Sequence, residues 1–276
     1  MNHTEIASPR VFEQALAEYR QKWPRDGYYD AAPRFVETYK LFSSYYQGGK
    51  VLDVGGWPGD LACTLATLKV AVVALDKSIR RPTAKVLDAT TGKQTLQGTT
   101  TLAEKCLQYG VSTLECNIER EPIPLPDGSV SFILFTEVIE HLRVGLLHAL
   151  REIRRVLDPE GRMLLTTPNL LSLRNRISFL LGKAKYDTLE MPYAALEAEE
   201  RIGHNGHFRI FSMPELNDLL AHTGFRVLYQ GYRQLMPVAD GKLPWSFYRL
   251  RHGLKDRLVR FIKPLGNTIF LVLTRD

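Results

Sequence analysis

The sequence contains little cysteine, and its cysteines are not spaced for metal binding. Among 276 residues there are three, Cys63, Cys106 and Cys116, without a CxxC pair or nearby histidine partners. A zinc-binding cysteine motif and a disulfide framework are therefore not supported, and we expect a reducing compartment.

Long apolar segments are also missing. No stretch approaches the roughly 18 uncharged residues that a membrane-spanning helix needs. The first residues, Met1 to Ala7, lack the basic segment and following apolar run of a secretory signal. The sequence thus predicts a soluble, cytoplasmic protein.

Neither an internal repeat nor a long low-complexity tract is present, and neither sign of charge dominates. Thirty-six Lys and Arg against thirty Asp and Glu give a net charge of +6. This mild basic excess is compatible with nucleic acid, a membrane surface or an anionic small substrate, so it does not discriminate among them. Hydrophobic residues make up 45% of the chain and charged residues 24%, which is the balance of a folded enzyme.

Short apolar runs alternate with segments of helical periodicity, which predicts a parallel sheet covered by helices on both faces. The predicted parallel strands are Lys50–Val54, Ala71–Asp76, Thr113–Cys116, Phe132–Thr136 and Met163–Thr167. Two further strands, Phe225–Tyr232 and Thr268–Thr274, are expected to close one edge. The fold class is therefore α/β, a doubly wound, seven-stranded and mostly parallel sheet with its ligand site beyond the carboxyl ends of the strands.

The predicted helices suggest how the chain is organised. They are Val11–Tyr19, Pro33–Tyr46, Val144–Leu157, Leu170–Leu181, Pro192–Arg201 and Pro214–Thr223. Residues 1–48 are expected to form an N-terminal helical segment that covers the ligand site or packs on the core. Residues 49–276 are expected to form one domain, with a cap insertion at 168–206 after the fifth strand and a basic amphipathic insertion at 240–266. The polar stretch 88–100 is expected to be a surface loop.

A glycine-bearing turn follows the first strand directly. It contains Gly55, Gly56 and Gly59 and leads into a helix, an arrangement that lets backbone approach a ligand closely. Asp76 ends the second strand, where a carboxylate can accept hydrogen bonds from both hydroxyls of a ribose. These two features alone also fit a dinucleotide-binding enzyme.

Two further stretches, Asn117 to Leu142 and Leu150 to Asn169, complete an ordered set of four. In this order they resemble class I S-adenosylmethionine-dependent methyltransferases, especially the branch related to ubiquinone-biosynthesis O-methyltransferases. The resemblance extends from about Gly49 to Gly224 and implies a Rossmann-like methyltransferase fold with S-adenosyl-L-methionine as cofactor.

The resemblance also implies roles for individual residues at the cofactor site. Asp53, Gly55, Gly56 and Gly59 are expected around the amino-acid end of the cofactor, and Asp76 at its ribose. Asn117 is expected at the adenine, and Phe135 and Thr136 beside the methyl donor. The sequence departs from the family pattern at two positions. Trp57 replaces the middle glycine of the family, and the neutral Asn117 replaces its usual acidic residue.

Histidines are the candidate bases, because imidazole ordinarily titrates near neutrality. His207 and His141 are the predicted catalytic residues, and His204 and Arg209 are predicted to bind the acceptor. The segment His207-Phe-Arg209-Ile-Phe211 resembles a His-x-Arg-x-Phe segment common in this branch.

A divalent-metal site is the most specific hypothesis. A helix after the fourth strand would place Glu137, Glu140 and His141 on one face, with His207 nearby. The set resembles the metal ligands of small-RNA 3′-terminal 2′-O-methyltransferases and suits Mg²⁺, Mn²⁺ or Zn²⁺. Alternatively, Glu140 and His141 merely cap and hydrogen-bond the helix start.

The function that these patterns favour is methyl transfer to an O or N atom of a small molecule, in specialised metabolite or glycan biosynthesis. The insertion at 168–206 is expected to form much of the acceptor pocket. An RNA 2′-O-methyltransferase and a non-catalytic adenosylmethionine-binding protein are the alternatives, although no RNA-binding module supports a nucleic-acid partner.

The segment Trp245–Leu265 is predicted to form a basic amphipathic helix. Such a helix would contact an anionic membrane or a second subunit, or would pack on its own domain.

Overall fold

The computed structural model describes residues 6–23, 32–80, 86–87, 94–95, 100–182, 207–235 and 262–276. The predicted helix Pro192–Arg201 lies outside these residues, as do residues 245–261 of the predicted basic helix. The end of that basic segment is described, and there Lys263–Leu265 forms a short 3₁₀ helix.

The centre of the fold is a seven-stranded sheet of mixed direction. In chain order the strands of the fold are β1 Lys50–Val54, β2 Ala71–Asp76, β3 Val86–Leu87, β4 Gln94–Thr95, β5 Ser112–Glu115, β6 Val130–Thr136, β7 Leu157–Pro168, β8 Phe225–Arg233 and β9 Thr268–Arg275. The sheet order is β5-β2-β1-β6-β7-β9-β8. The first five strands in this order run parallel, and β9 is antiparallel to both of its neighbours. The predicted fold class is therefore confirmed.

The short strands β3 and β4 pair with each other in a separate antiparallel ladder. Because β4 lies within 88–100, the prediction of a simple loop over that stretch was wrong at this point.

The helices are α1 Pro9–Lys22, α2 Ala32–Tyr45, α3 Asp60–Thr67, α4 Leu102–Gln108, α5 Leu146–Val156, α6 Leu173–Leu180 and α7 Met213–His222. All of them except α6 contribute residues to the core clusters on the two faces of the sheet. Alternate residues of the strands point to opposite faces, so that Val51 and Leu52 belong to two different core clusters. One cluster packs with α5 and α7, and the other packs with α1 to α4.

The N-terminal helices lie over the start of α3. Phe12 of α1 stacks on Tyr39 of α2, with ring centroids 4.1 Å apart. The Tyr19 hydroxyl donates to the Pro58 carbonyl over 3.4 Å, and Arg20 pairs with Asp60 at 3.2 Å. The N-terminal segment is thereby joined to the glycine-bearing turn. None of the helices that the structure describes has the length and apolar character needed to cross a bilayer.

Candidate active site

The turn between β1 and α3 leaves little room for side chains at its glycine positions. Gly55 and Gly59 have φ values of 72° and 100°, which glycine adopts without strain. A Cβ on Gly56 would lie 3.2 Å from Oδ2 of Asp53 and 3.3 Å from the Cβ of Ala74. The backbone of this turn therefore forms a tight cradle at the carboxyl end of β1.

Two carboxylates lie beside the cradle. Asp53 is 3% exposed, and burial together with the charge of Asp76 raises its pKa to about 7. Asp76 accepts hydrogen bonds from the backbone N–H groups of Trp57, at 3.4 Å, and Ser78, at 3.1 Å. A carboxylate can accept several hydrogen bonds at once, so Asp76 is also suited to ligand hydroxyls.

Trp57 does not block the turn in the way that its bulk would suggest. Its backbone N–H group binds Asp76, while its side chain packs against the core cluster formed with the N-terminal helices. Trp57, which replaces the middle glycine of the family, thus helps to hold the Asp76 carboxylate in place.

These residues fit S-adenosylmethionine, which is a cation that carries a ribose. Two adjacent carboxylates favour a positively charged ligand, because such a ligand relieves their mutual repulsion. The crowding that a Cβ would meet at Gly55 and Gly56 favours glycine there, and glycine lets a ligand approach the backbone closely. Asp53 and Asp76 would hold the cofactor, together with the backbone of Gly55 and Gly56.

The remaining predicted cofactor residues have different surroundings. The side-chain oxygen of Asn117 accepts a hydrogen bond from the Glu119 N–H group at 3.2 Å, and this turn follows β5, next to the end of β2. Thr136 is partly exposed at the end of β6. Phe135 is 0% exposed within the core, so its burial favours a packing role over the predicted contact with the methyl donor.

We expect the ligand-free protein to lose stability as the pH rises from about 5 to about 7. The pKa of Asp53 in the folded state, about 7, exceeds the ordinary aspartate value of about 3.9, so the folded state binds more protons in this interval. The full stability is present below the unfolded pKa and falls until the pH passes the folded pKa. At about 1.36 kcal/mol per pKa unit, the loss over two pH units is at most about 3 kcal/mol.

Urea unfolding at each pH measures this loss. The Asp53→Asn variant lacks the titrating carboxyl and should show a shallower pH dependence. Equal slopes in the two proteins would contradict the assignment.

A second polar group forms beyond β6. Glu140 and His141 belong to a short 3₁₀ helix, Ile139–His141, and the backbone carbonyl of Glu140 accepts hydrogen bonds from Phe208 and Arg209. These bonds bring His207 close, with its ring centroid 4.8 Å from that of His141. The potential ligand atoms of Glu140, His141 and His207 all lie within 4.8 Å of one another.

Glu137 does not join this group, contrary to the predicted single helical face. It lies before the 3₁₀ helix with a φ of 56°, and its carboxylate pairs with Arg34 at 2.9 Å. Its second oxygen accepts a hydrogen bond from Thr166 at 3.0 Å. Glu137 therefore connects α2 to the end of β7 and is not among the residues whose ligand atoms converge.

The Glu140 carboxyl is 0% exposed. Burial, reinforced by the charge of Glu137, raises its pKa well above the ordinary value. One oxygen accepts a hydrogen bond from Thr167 at 3.0 Å, and the other lies 3.9 Å from Nε2 of His141. This second oxygen is buried and has no hydrogen-bond partner among the described residues.

The two predicted acceptor-binding residues differ in position. Arg209 is exposed, and its guanidinium carbon lies 5.5 Å from the centre of the Phe211 ring. His204 lies outside the described residues. Arg34 and Thr167, which sequence reasoning missed, contact Glu137 and Glu140, and no local pattern marks either of them.

Comparison with known families gives an independent observation. A family profile described as Methyltransferase domain matches residues 25–230 of the chain. The sequence matches no curated protein at a significant level.

Solved structures share the fold at low sequence identity. A SAM-dependent methyltransferase from Archaeoglobus fulgidus has a TM-score of 0.53 at 13% identity, covering 94% of this chain and 99% of that one. A SAM-dependent methyltransferase from Thermotoga maritima has a TM-score of 0.52 at 17% identity, covering 98% and 100%. The PH0226 protein of Pyrococcus horikoshii has a TM-score of 0.53 at 15% identity, covering 94% and 99%.

Proposed function

Because the chain belongs to the methyltransferase-domain family, we propose that this enzyme transfers a methyl group from S-adenosylmethionine to an oxygen or nitrogen atom of a small molecule. The observation that carries the proposal is that two sets of polar residues lie where the parallel strands have their carboxyl ends. The cradle with Asp53 and Asp76 follows β1 and β2, and Glu140, His141 and His207 lie beyond β6, next to β1.

The cofactor side of the site is suited to a cation. When bound, S-adenosylmethionine supplies a methyl group on a positively charged sulfur. Asp53 and Asp76 provide negative charge, and Asp76 offers acceptor oxygens to the ribose hydroxyls. Asn117 offers both a donor and an acceptor to the adenine edge.

The acceptor side of the site is suited to proton transfer. His207 or His141 would accept the proton of the acceptor hydroxyl or amine, since imidazole is the usual base near neutral pH. This role is supported by the hydrogen bonds from the Phe208 and Arg209 N–H groups to the Glu140 carbonyl, which bring His207 next to His141. Arg209, exposed next to this segment, would bind an anionic part of the acceptor.

A divalent ion is a second candidate for the acceptor side, favoured by the proximity of Glu140, His141 and His207. A metal with bonds of about 2.1 Å holds its ligand atoms at most about 4.2 Å apart, so the group would contract slightly around an ion. We expect Mn²⁺ or Zn²⁺ to suit one carboxylate and two imidazoles better than Mg²⁺.

Chelation separates the two roles of the histidines. If the group holds a required ion, exhaustive chelation should abolish methyl transfer and added Mn²⁺ or Zn²⁺ should restore it. Activity that survives chelation, with no metal found by elemental analysis, would leave His207 as a base.

The test of the function itself is methyl transfer with an isotopically labelled donor. The enzyme is incubated with a metabolite extract, and mass spectrometry identifies the compounds that gain the label. A variant with Asp76→Ala serves as the inactive control. Cofactor binding without labelling of any small molecule would contradict the proposed acceptor class.

The branch of methyltransferases and the pathway are part of the same proposal. The His207-Phe-Arg209-Ile-Phe211 segment supports the branch related to ubiquinone-biosynthesis O-methyltransferases. The pathway that we propose remains specialised metabolite or glycan biosynthesis.

A further inference from the structure

Helix α6 exposes an unusual amount of apolar surface. It contains no buried residue, although it follows strand β7, which lies inside the sheet, by only a few residues. The exposed fractions are 49% for Ile177, 86% for Leu180 and 68% for Leu181. Leu171 and Phe179 are exposed by 37% and 41%. Elsewhere in the described residues, large exposed apolar side chains stand singly or, as with Val144 and Leu147, as a pair, so this concentration of five is distinctive.

The exposed side of α6 is basic as well as apolar. Ile177, Leu180 and Leu181 have the spacing of one helical face, and Arg174 and Arg176 lie three and four residues before Ile177 and Leu180. The sequence from Gly161 to Tyr186 contains no acidic residue. We call Arg174, Arg176, Ile177, Leu180 and Leu181 the α6 face.

The α6 face has a fixed position relative to the active site. The Asn169 side chain donates to the carbonyls of Pro264 and Gly266, and Asn175 of α6 donates to the Asn169 and Leu170 carbonyls. Leu170 also donates its backbone N–H to Phe211, in the segment that follows His207. The helix is thus attached to the same strand end that carries Thr167, the partner of Glu140.

We propose that the α6 face docks on an anionic lipid bilayer. An apolar stripe flanked by arginines is the composition of a helix that lies in the membrane interface, where leucines enter the acyl region and arginines meet lipid phosphates. A second copy of the chain is a poorer partner, because a symmetric contact would place arginines against arginines. The consequence that the acceptor is methylated at the membrane rests on the proposed function.

The test is sedimentation of the full chain with vesicles at low salt. Vesicles of phosphatidylcholine are compared with vesicles that also contain phosphatidylglycerol. We expect binding to the anionic vesicles, and a loss of about tenfold or more in the double variant Leu180→Glu, Leu181→Glu. Arg174→Glu should weaken binding by at least about fivefold.

A matched control is available on α4. Leu107 is 79% exposed, so Leu107→Glu adds a glutamate at a similar exposure and should leave vesicle binding unchanged. Calorimetry with S-adenosylhomocysteine checks that each variant is folded, and its outcome reports on the proposed function independently of the vesicles.

Three results would overturn the docking proposal. The first is that the wild-type chain fails to bind anionic vesicles at low salt. The second is that the Leu180→Glu, Leu181→Glu variant binds them as the wild type does, which would point to another segment such as Trp245–Leu265. The third is a dimer in gel filtration that this variant dissociates.

Discussion

The Asp76→Ala variant is expected to bind S-adenosylmethionine and S-adenosylhomocysteine roughly 100-fold or more weakly than the wild type. The substitution removes two charge-assisted hydrogen bonds to the ribose, each worth about 1.5–3 kcal/mol, and about 1.4 kcal/mol corresponds to a tenfold change in Kd. It also leaves the backbone N–H groups of Trp57 and Ser78 without this acceptor, which loosens the turn.

Isothermal calorimetry measures the loss of affinity directly. Asp76→Asn keeps one acceptor oxygen, so its affinity should lie between those of the wild type and Asp76→Ala. Asp218→Ala is the control, because Asp218 is a carboxylate on α7 that is 76% exposed and distant in sequence from the cradle. A Kd for Asp76→Ala within about twofold of the wild type, well below a tenfold change, would contradict the role of Asp76.

The His207→Ala variant is expected to lower kcat by about 10²-fold to 10⁴-fold while cofactor affinity stays unchanged. This range is the usual contribution of a positioned base. Because His207 belongs to the acceptor-side group and not to the cradle, its loss should affect the reaction and not cofactor binding.

Single-turnover rates with the identified acceptor provide the measurement. His222→Ala is the matched control, since His222 is 77% exposed at the end of α7. A Glu140→Gln variant keeps the volume of the buried side chain and shows whether its charge is needed. If His207→Ala retains the wild-type rate, neither the base nor the metal role of His207 holds.

Local patterns in the sequence were sufficient for the strands and turn that build the cofactor side. The bounds of β1 and β2 agree with their predictions residue by residue, because continuous apolar runs and the turn residues that end them are local signals. The same holds for Asp76, whose place at the end of a parallel strand puts it beside the neighbouring strand end.

On the acceptor side, by contrast, the tertiary structure decides which polar residues lie together. Glu137 stands three residues from Glu140, yet its left-handed backbone and its ion pair with Arg34 separate it from the group that Glu140 forms with His141 and His207. Phe135 ends in the core, and α6 lies on the surface with no buried residue. Such outcomes depend on contacts between residues far apart in the chain, which the spacing of residues along a sequence does not encode.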